Sequence, residues 1–260
     1  MNNAIRCSPL ILGDAAVPVF CRRSRRARRL QVRVEPQGIL LVLPWSVAEA
    51  EGERFLHRHA RWAIRRFGKL RVAQARIPLL SPGAPLPFRG RNVLVEIRPA
   101  AAEKDMESVR LEEDRLTVSC HHPDSPAAAA LLLRRWFATQ ATAFAETLVA
   151  RCSGVIGVTP RIVRIRDLRS RWGSCSASRA ISLNWRLILA PDGVFEYVVA
   201  HELCHLRHGG HGMAFWNLVR ASVPDADARR KWLRENQEWM MEFLRDNDDG
   251  APEAQEGCRP

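Results

Sequence analysis

The sequence predicts an α+β fold, with a small mixed or antiparallel sheet packed against a long helix and a second, motif-bearing helix, beside an N-terminal layer of one β-hairpin and one helix. Three observations predict it. Residues 30–34 alternate in polarity and residues 39–43 are apolar, with turn-forming residues between them, which indicates a hairpin. Residues 127–151 are rich in Ala and Leu, which is typical of a long helix. Residues 191–207 open on a proline and continue with an apolar helical pattern.

The first half of the chain is predicted to consist mainly of strands. Residues 1–21 form a short lead-in with at most one strand. Ser46 is expected to cap a helix that runs to Phe67, because Glu49 three residues later completes the capping-box pattern. Residues 78–92 are rich in Pro and Gly and are predicted to be a loop. Further strands are expected at residues 93–97, 108–111 and 115–119.

The second half alternates short strands with helices. The long helix should run to Arg151, with Gly154 just beyond its end. Residues 170–178 are small and polar and are predicted to be a loop. The helix that opens at Pro191 should end at the glycine pair 209–210. The other predicted elements are strands at 162–165 and 181–185 and helices at 213–221 and 225–244.

These elements suggest a division of the chain into four parts. Residues 1–21 are the lead-in, residues 22–125 are β-rich, and residues 126–244 form the core that carries the motif discussed below. Residues 245–260 are acidic and contain Gly and Pro, so this tail is expected to be disordered.

Composition indicates a globular protein of the cytoplasm. Hydrophobic residues make up 47% of the 260 residues and charged residues 26%. No run of about 18 apolar residues predicts a membrane span, and no secretion signal is recognisable at the N-terminus. The seven cysteines are odd in number and form no CxxC pair, which favours reduced thiols over a disulfide framework or a cysteine zinc knuckle.

The net charge of +12 is concentrated in one segment. Residues 22–71 hold 14 Arg or Lys against 4 Glu, a net charge of +10. Such a segment indicates either a nucleic-acid or other acidic partner, or an ordinary solvated basic face. The second interpretation is favoured, because no interleaving of aromatic and basic residues typical of a base-stacking surface accompanies the charge.

The segment from His201 to His205 (HELCH) fits the HExxH pattern. Residues four apart lie on one face of a helix, so the imidazoles of His201 and His205 can share one metal ion. Glu202 lies one residue round the helix, where its carboxylate can reach a water in an open metal position. This pattern is typical of zinc-assisted hydrolysis.

A catalytic zinc ion usually has a third protein ligand, and two histidines downstream are candidates. A helix that continued straight would carry His208 a turn away from the metal. Gly209 and Gly210 can instead reverse the chain, because glycine tolerates positive φ, and this favours His211 as the third ligand. Cys204 is expected to be a small buried filler, and Phe215 and Trp216 are expected to pack the turn against the sheet.

The segment at residues 201–216 (HELCHLRHGGHGMAFW) resembles the active-site segment of the YgjP-like metal-dependent hydrolases, which are related to the SprT-like and WLM zinc peptidases. Residues 171–175 (RWGSC), 181–185 (ISLNW) and 197–200 (YVVA) resemble the same family. The resemblance covers about residues 22–242. It implies zinc ligands at His201, His205 and His211, with a catalytic Glu202.

The residues and the resemblance together predict a zinc metallopeptidase with Glu202 as general base. Three residues are candidates to stabilise negative charge on the substrate, although structural roles are equally compatible with two of them: Arg171, Ser174 and Tyr197. Asn184 is predicted to orient the loop or a ligand histidine. The alternatives are a nucleic-acid-associated protein with a structural zinc, or a protease that acts on DNA-bound proteins.

Overall fold

The computed structural model describes residues 4–12, 15–100 and 106–245. The chain forms two compact units, residues 1–77 and residues 78–260. Helices combine with small mixed sheets, so the α+β prediction is confirmed. The boundary expected at residues 125/126 falls inside the second unit and stays a prediction, and residues 246–260 of the expected tail lie outside the described residues.

The first unit is built on a four-stranded sheet with the order β1-β2-β4-β3. Its strands are β1 (Ile5–Leu12), β2 (Ala15–Ser24), β3 (Gln31–Glu35) and β4 (Gly38–Pro44). The predicted hairpin is confirmed, because β3 and β4 pair antiparallel, and β4 also pairs parallel with β2. The lead-in contributes two strands rather than one, since β1 and β2 pair with each other.

Helix α1 (Glu49–Ala75) packs on this sheet. The predicted cap at Ser46 is wrong, because Ala48 occupies the N-cap position and makes no side-chain capping bond. The backbone amide of Val47 donates to the carbonyl of Pro44 at 3.2 Å. This hydrogen bond closes a turn over residues 44–47, directly after β4, so the helix begins only after that turn.

Helix α1 also continues past Phe67, its predicted end. Leu56, Ala63 and Leu70 lie seven residues apart and are all buried. This spacing keeps one apolar stripe against the sheet for two further turns. Phe55, Ile64 and Phe67 pack beside this stripe, and several arginines lie on the exposed surface of the helix.

The second unit begins with another four-stranded sheet, of order β5-β6-β8-β7. Its strands are β5 (Pro85–Phe88), β6 (Arg91–Pro99), β7 (Ser108–Glu112) and β8 (Arg115–Cys120). The last three confirm predicted strands. The loop predicted at 78–92 is wrong in part, because Arg89 and Gly90 both have positive φ and form the tight turn of a β5–β6 hairpin. Proline is tolerated in β5 because β5 is an edge strand.

A three-stranded sheet and four helices complete the second unit. The sheet has the order β10-β11-β9 and comprises β9 (Ile162–Arg166), β10 (Gly173–Cys175) and β11 (Ala180–Asn184). The helices are α2 (Pro126–Ile156), α3 (Asp192–Cys204), α4 (Met213–Ser222) and α5 (Ala226–Glu242), with a 3₁₀ turn at Trp185–Leu189.

Helix α2 is the centre of the second unit and packs against α3, the 3₁₀ turn and β9. It ends at Gly157, whose φ of 70° is left-handed, so Gly154 lies within the helix and not beyond it. The polar segment 170–178 is not wholly a loop, since β10 lies within it. Among the described residues, no helix is long and apolar enough to span a bilayer.

Candidate metal centre

Two of the three predicted ligands lie at the C-terminal end of α3. His201 lies in the last turn of the helix and His205 is its C-cap, so both rings project from one face. Their ring centroids are 5.0 Å apart. Both side chains are half-buried, because the apolar face of α3 packs into the core of the unit.

His211 completes the group from the segment between α3 and α4. Its Nε2 lies 3.2 Å from Nε2 of His201. One ring nitrogen from each of His201, His205 and His211 falls within 4.8 Å of the others. The ring of His208 is not part of this group. Its backbone carbonyl instead accepts a hydrogen bond from Nδ1 of His205 at 3.1 Å.

The chain reversal does not use the glycines as the sequence predicted. Helix α3 already ends at Cys204, five residues before the pair Gly209–Gly210. Amides of residues 206–208 bond back to residues 203 and 204, which closes the last turn. Neither glycine has a positive φ, and a Cβ atom added at either would meet no heavy atom within 4 Å. The expectation that this pair supplies left-handed backbone is therefore wrong.

The environment of the histidines favours neutral rings. Burial lowers the pKa of His201 to about 3, with smaller contributions from His205, His211 and Arg230. Burial also lowers the pKa of His211. A carbonyl can only accept, so Nδ1 of His205 donates this hydrogen bond and Nε2 is the nitrogen left for a metal ion. Neutral imidazoles with free lone pairs are what a metal ion requires.

Two aromatic residues at the start of α4 enclose the histidines. The Phe215 ring centroid lies 4.9, 4.6 and 4.8 Å from those of His201, His205 and His211. Trp216 stacks on His211, with centroids 5.8 Å apart and planes at 27°. These residues were expected to pack the turn against the sheet, whereas they contact the ligand candidates themselves. Ring packing therefore restrains the His211 side chain.

Glu202 lies buried beside this group, with 6% of its surface exposed. Its carboxylate lies against Gly173 of β10, where an added Cβ would come within 2.6 Å of Oε1. Burial raises the pKa of Glu202 to about 8, and the positive charge of Arg171 opposes this increase. Only glycine at position 173 leaves the carboxylate this space, a requirement that the RWGSC segment did not reveal from sequence alone.

Asn184 is fully buried and orients the loop before β10 rather than a histidine. Its Nδ2 donates to the carbonyls of Leu168 at 2.7 Å and Arg171 at 3.2 Å. Its Oδ1 accepts from the amide of Arg186 at 3.1 Å, which caps the 3₁₀ turn. One side chain thus connects that turn to the loop that carries Arg171 and leads into Gly173.

The other two predicted residues, Ser174 and Tyr197, lie differently relative to the site. The Cβ position of Gly173 faces Glu202. Because successive side chains of a strand point to opposite faces, Ser174 faces away from Glu202. Tyr197 lies one turn before His201 on α3, with ring centroids 5.9 Å apart. Burial raises the Tyr197 pKa to about 12. Cys204 is fully buried and its pKa is likewise raised to about 12 by burial, as expected for an inert filler.

Comparison with known proteins agrees with this arrangement. Residues 28–236 match the family described as YgjP-like, metallopeptidase domain. No curated protein matches the chain. One similar solved structure is the crystal structure of the metallopeptidase zymogen of Pyrococcus abyssi abylysin, at 24% identity over 36% of this chain and 95% of that chain, with a TM-score of 0.33. That likeness is too weak to inform the activity. The family match extends over most of the chain, and the chain belongs to the YgjP-like metallopeptidases, which are metal-dependent enzymes that act on peptides or proteins.

Proposed function

We propose that this chain is a zinc peptidase in which His201, His205 and His211 hold the metal and Glu202 is the general base. One observation carries the proposal: three ring nitrogens converge within 4.8 Å, and the residue that follows the first of these histidines carries a buried carboxylate. A purely structural zinc site has no need of that carboxylate and is usually closed by a fourth side chain. Within the described residues, no fourth His, Cys, Asp or Glu joins this group.

The donor set fits zinc in particular. Three neutral imidazoles are the ligand set of several catalytic zinc sites, whereas magnesium and calcium prefer oxygen ligands. When bound, zinc polarises a carbonyl and lowers the pKa of water to near ~7. The hydrogen bond from His205 to the His208 carbonyl fixes the His205 tautomer that such a site requires.

Glu202 moves the proton. Its carboxylate accepts a proton from the attacking water as the oxygen of that water bonds to the peptide carbonyl carbon. Glu202 then returns this proton to the leaving nitrogen as the carbon–nitrogen bond breaks, so the carboxylate is regenerated. Burial makes Glu202 a stronger base, because a raised pKa increases the affinity of its carboxylate for the proton taken from water.

Strand β10 offers an edge with which the backbone of a peptide substrate can pair. Trp172 and Ser176, at its two ends, make backbone hydrogen bonds to the β11 segment. The alternation of an antiparallel ladder then directs the backbone groups of Gly173 and Cys175 to the other edge. No strand of the described ranges pairs with that edge. An extended peptide can therefore add there, next to Glu202.

The test is to measure zinc content and peptide hydrolysis in matched variants. We expect His201→Ala and His211→Ala to lose zinc and activity together. Glu202→Gln should keep zinc and reduce turnover by about 10³-fold or more, because it removes only the base. His208→Ala is the control, since it keeps the backbone carbonyl that His205 contacts. Equal zinc in the wild type and His211→Ala would contradict the ligand assignment, and unchanged turnover in Glu202→Gln would contradict the base.

A second function, binding to nucleic acid, is favoured by the surface of α1. Five basic residues at helical spacing form one exposed stripe, here called the α1 stripe: Arg54, Arg58, Arg61, Arg65 and Lys69. The stripe is roughly 22 Å long. In the described part of the chain, no carboxylate lies within ion-pair distance of any of the five. Unneutralised charge in a row is complementary to a phosphate backbone.

Exposed tryptophans accompany this charge, which the sequence had not suggested. Trp62 lies on the exposed surface of α1 and is 51% exposed. Trp45, just before α1, is 57% exposed, and the guanidinium groups of Arg23 and Arg25 lie 5.9 and 5.4 Å from its ring centroid. Aromatic faces beside cations are what unpaired bases stack on. The enzyme would then be a protease that acts near nucleic acid.

Salt-dependent binding to single-stranded DNA tests this function. Replacing Arg58, Arg61 and Arg65 by Gln should lower the slope of log affinity against log salt by about 2, because three phosphate contacts to a single strand are lost. The matched control replaces Arg161, Arg164 and Arg166, exposed arginines at β9, and should change little. Equal losses in both sets, or binding to phosphatidylserine vesicles but not to DNA, would contradict the proposal.

A further inference from the structure

Arg230 of α5 is a cation that lies near the three histidines and was not among the residues predicted from the sequence. Its side chain is half-buried, and its guanidinium carbon lies 4.8 Å from the Trp216 ring centroid. The same tryptophan stacks on His211 and lies 5.9 Å from His201, measured between ring centroids. Trp216 thus holds Arg230 next to the metal-binding group.

Arg230 differs from its neighbours because it forms no close ion pair with a described carboxylate. Arg220 also lies over Trp216, at 5.9 Å, but its Nε donates to Asp227 at 3.0 Å. Arg229, the preceding residue on α5, forms ion pairs of 2.8 Å with Glu196 and Asp225. Among the described residues, no carboxylate lies within 4.0 Å of the Arg230 guanidinium.

An unpaired cation at this position is unfavourable unless a ligand offsets it. A metal ion held by three neutral imidazoles brings further positive charge, and like charges repel most strongly where water is partly excluded. Arg171 instead interacts electrostatically with Glu202 of the motif. The acidic group near Arg230 is Asp227, but Asp227 already accepts a hydrogen bond from Arg220 at 3.0 Å, which lowers its pKa more than the charge of Arg230 does.

We propose that Arg230 binds a negatively charged oxygen of the substrate next to the metal centre. The proposal rests on the proposed peptidase function. The oxygen has two sources of the same chemistry. One is the carbonyl oxygen of the cleaved bond, which gains charge as water adds and loses it when the carbon–nitrogen bond breaks. The other is a carboxylate that the peptide already carries. A guanidinium donates two parallel hydrogen bonds to either.

The experiment measures binding by calorimetry on zinc-loaded protein carrying Glu202→Gln, so that no probe is hydrolysed. One probe is a blocked peptide phosphonate, whose anionic oxygens occupy the place of the charged carbonyl oxygen. The second probe is a blocked dipeptide with a free C-terminal carboxylate, compared with its amide. We expect Arg230→Gln to weaken binding of one anionic probe by about 10²-fold, with amide binding unchanged. The probe affected identifies the source of the oxygen.

Two further variants control for charge and packing. Arg220→Gln removes a cation from the same tryptophan and should bind all probes as before, because Asp227 already neutralises it. Arg230→Lys keeps the charge but loses paired donation, so about 10-fold weaker binding is expected. Equal losses in Arg230→Gln and Arg230→Lys together with reduced zinc would assign Arg230 to packing and contradict the proposal.

Zinc content separates this proposal from the one on which it rests. Zinc-loaded Arg230→Gln protein that binds both anionic probes as tightly as its parent would overturn the role of Arg230 alone. Failure of the wild type to bind zinc would instead contradict the proposed peptidase site. A supporting readout is hydrolysis of an uncharged peptide: a lower kcat at constant KM indicates the carbonyl oxygen, and a higher KM confined to acidic peptides indicates a carboxylate.

Discussion

Two glycine-containing segments lie near the metal centre, and they differ in how tightly they are packed. At Gly173 of β10, the carboxylate of Glu202 fills the space in which a side chain would lie. At Gly209 and Gly210, after α3, there is only open space. The segment that presents the base is therefore closely fitted, whereas the segment that presents His211 is loose at its glycines.

The difference shows that a glycine in the sequence does not by itself reveal whether its conformational freedom or its lack of a Cβ is needed at that position. Gly173 lies in a strand, where any residue can adopt the backbone conformation, and it is needed for lack of a Cβ. Neither Gly209 nor Gly210 has a positive φ, and both have open space at the Cβ position. This pair therefore uses neither the conformational freedom of glycine nor its lack of a Cβ. The position of His211 depends instead on contacts made by its ring with Phe215 and Trp216.

The largest effect that tests this comparison is expected from Gly173→Ala. The new Cβ would lie 2.6 Å from Oε1 of Glu202, so the carboxylate must move. Displacement of a catalytic group by about 1 Å can cost roughly 10²-fold in rate, and we expect a loss of kcat of that size. Zinc content should stay normal, because the atoms nearest to the added Cβ belong to Glu202 and not to a ligand histidine. Measured kcat within twofold of the wild type would show that Glu202 is not held in place here.

A smaller effect on turnover, accompanied by a clear loss of stability, is expected from Asn184→Ala. The change removes the donor to the carbonyls of Leu168 and Arg171 and leaves a small cavity. We expect unfolding free energy to fall by about 2–3 kcal/mol in urea titrations, because partly buried acceptors lose their partner. Turnover should fall by about 10-fold, since the loop that leads into Gly173 is less well fixed.

Asn236→Ala is the matched control for this prediction. Asn236 is also buried, but its Nδ2 donates to the Trp232 carbonyl one turn earlier in α5 and its Oδ1 accepts from Trp239. The control should lower stability similarly while leaving kcat nearly unchanged. If both variants lose turnover in proportion to stability, the loop has no specific role in positioning Glu202.

The sequence predicted those features that depend on periodicity along the chain. The hairpin of β3 and β4, helix α2 and the helix carrying His201 and Glu202 all follow from spacing of apolar residues. The sequence also indicated His211 as the third ligand, although through a glycine reversal that the structure does not use. The α+β class followed because predicted strands and predicted helices follow one another along the chain without a regular alternation.

Features that depend on contacts distant in sequence could not be predicted. The apposition of Gly173 and Glu202, and of Arg230 and Trp216, joins residues on separate elements whose order gives no distance. The helix start at Glu49 was missed because a competing turn after β4 decides it. The prolines of β5 led to the prediction of a loop, whereas an edge strand tolerates residues that lack a backbone N–H.

The smallest effect is expected at the loose segment, from Gly209→Ala. The φ of Gly209 is not positive and no heavy atom lies within 4 Å of the new Cβ, so the native state should accept alanine without strain. Alanine also restricts the unfolded chain, which can raise stability by about 0.4–1 kcal/mol. We expect zinc affinity and kcat to stay within twofold of the wild type. A large loss of zinc in this variant would instead mean that the reversal needs glycine to bring His211 to the metal, and the contrast with Gly173 would no longer hold.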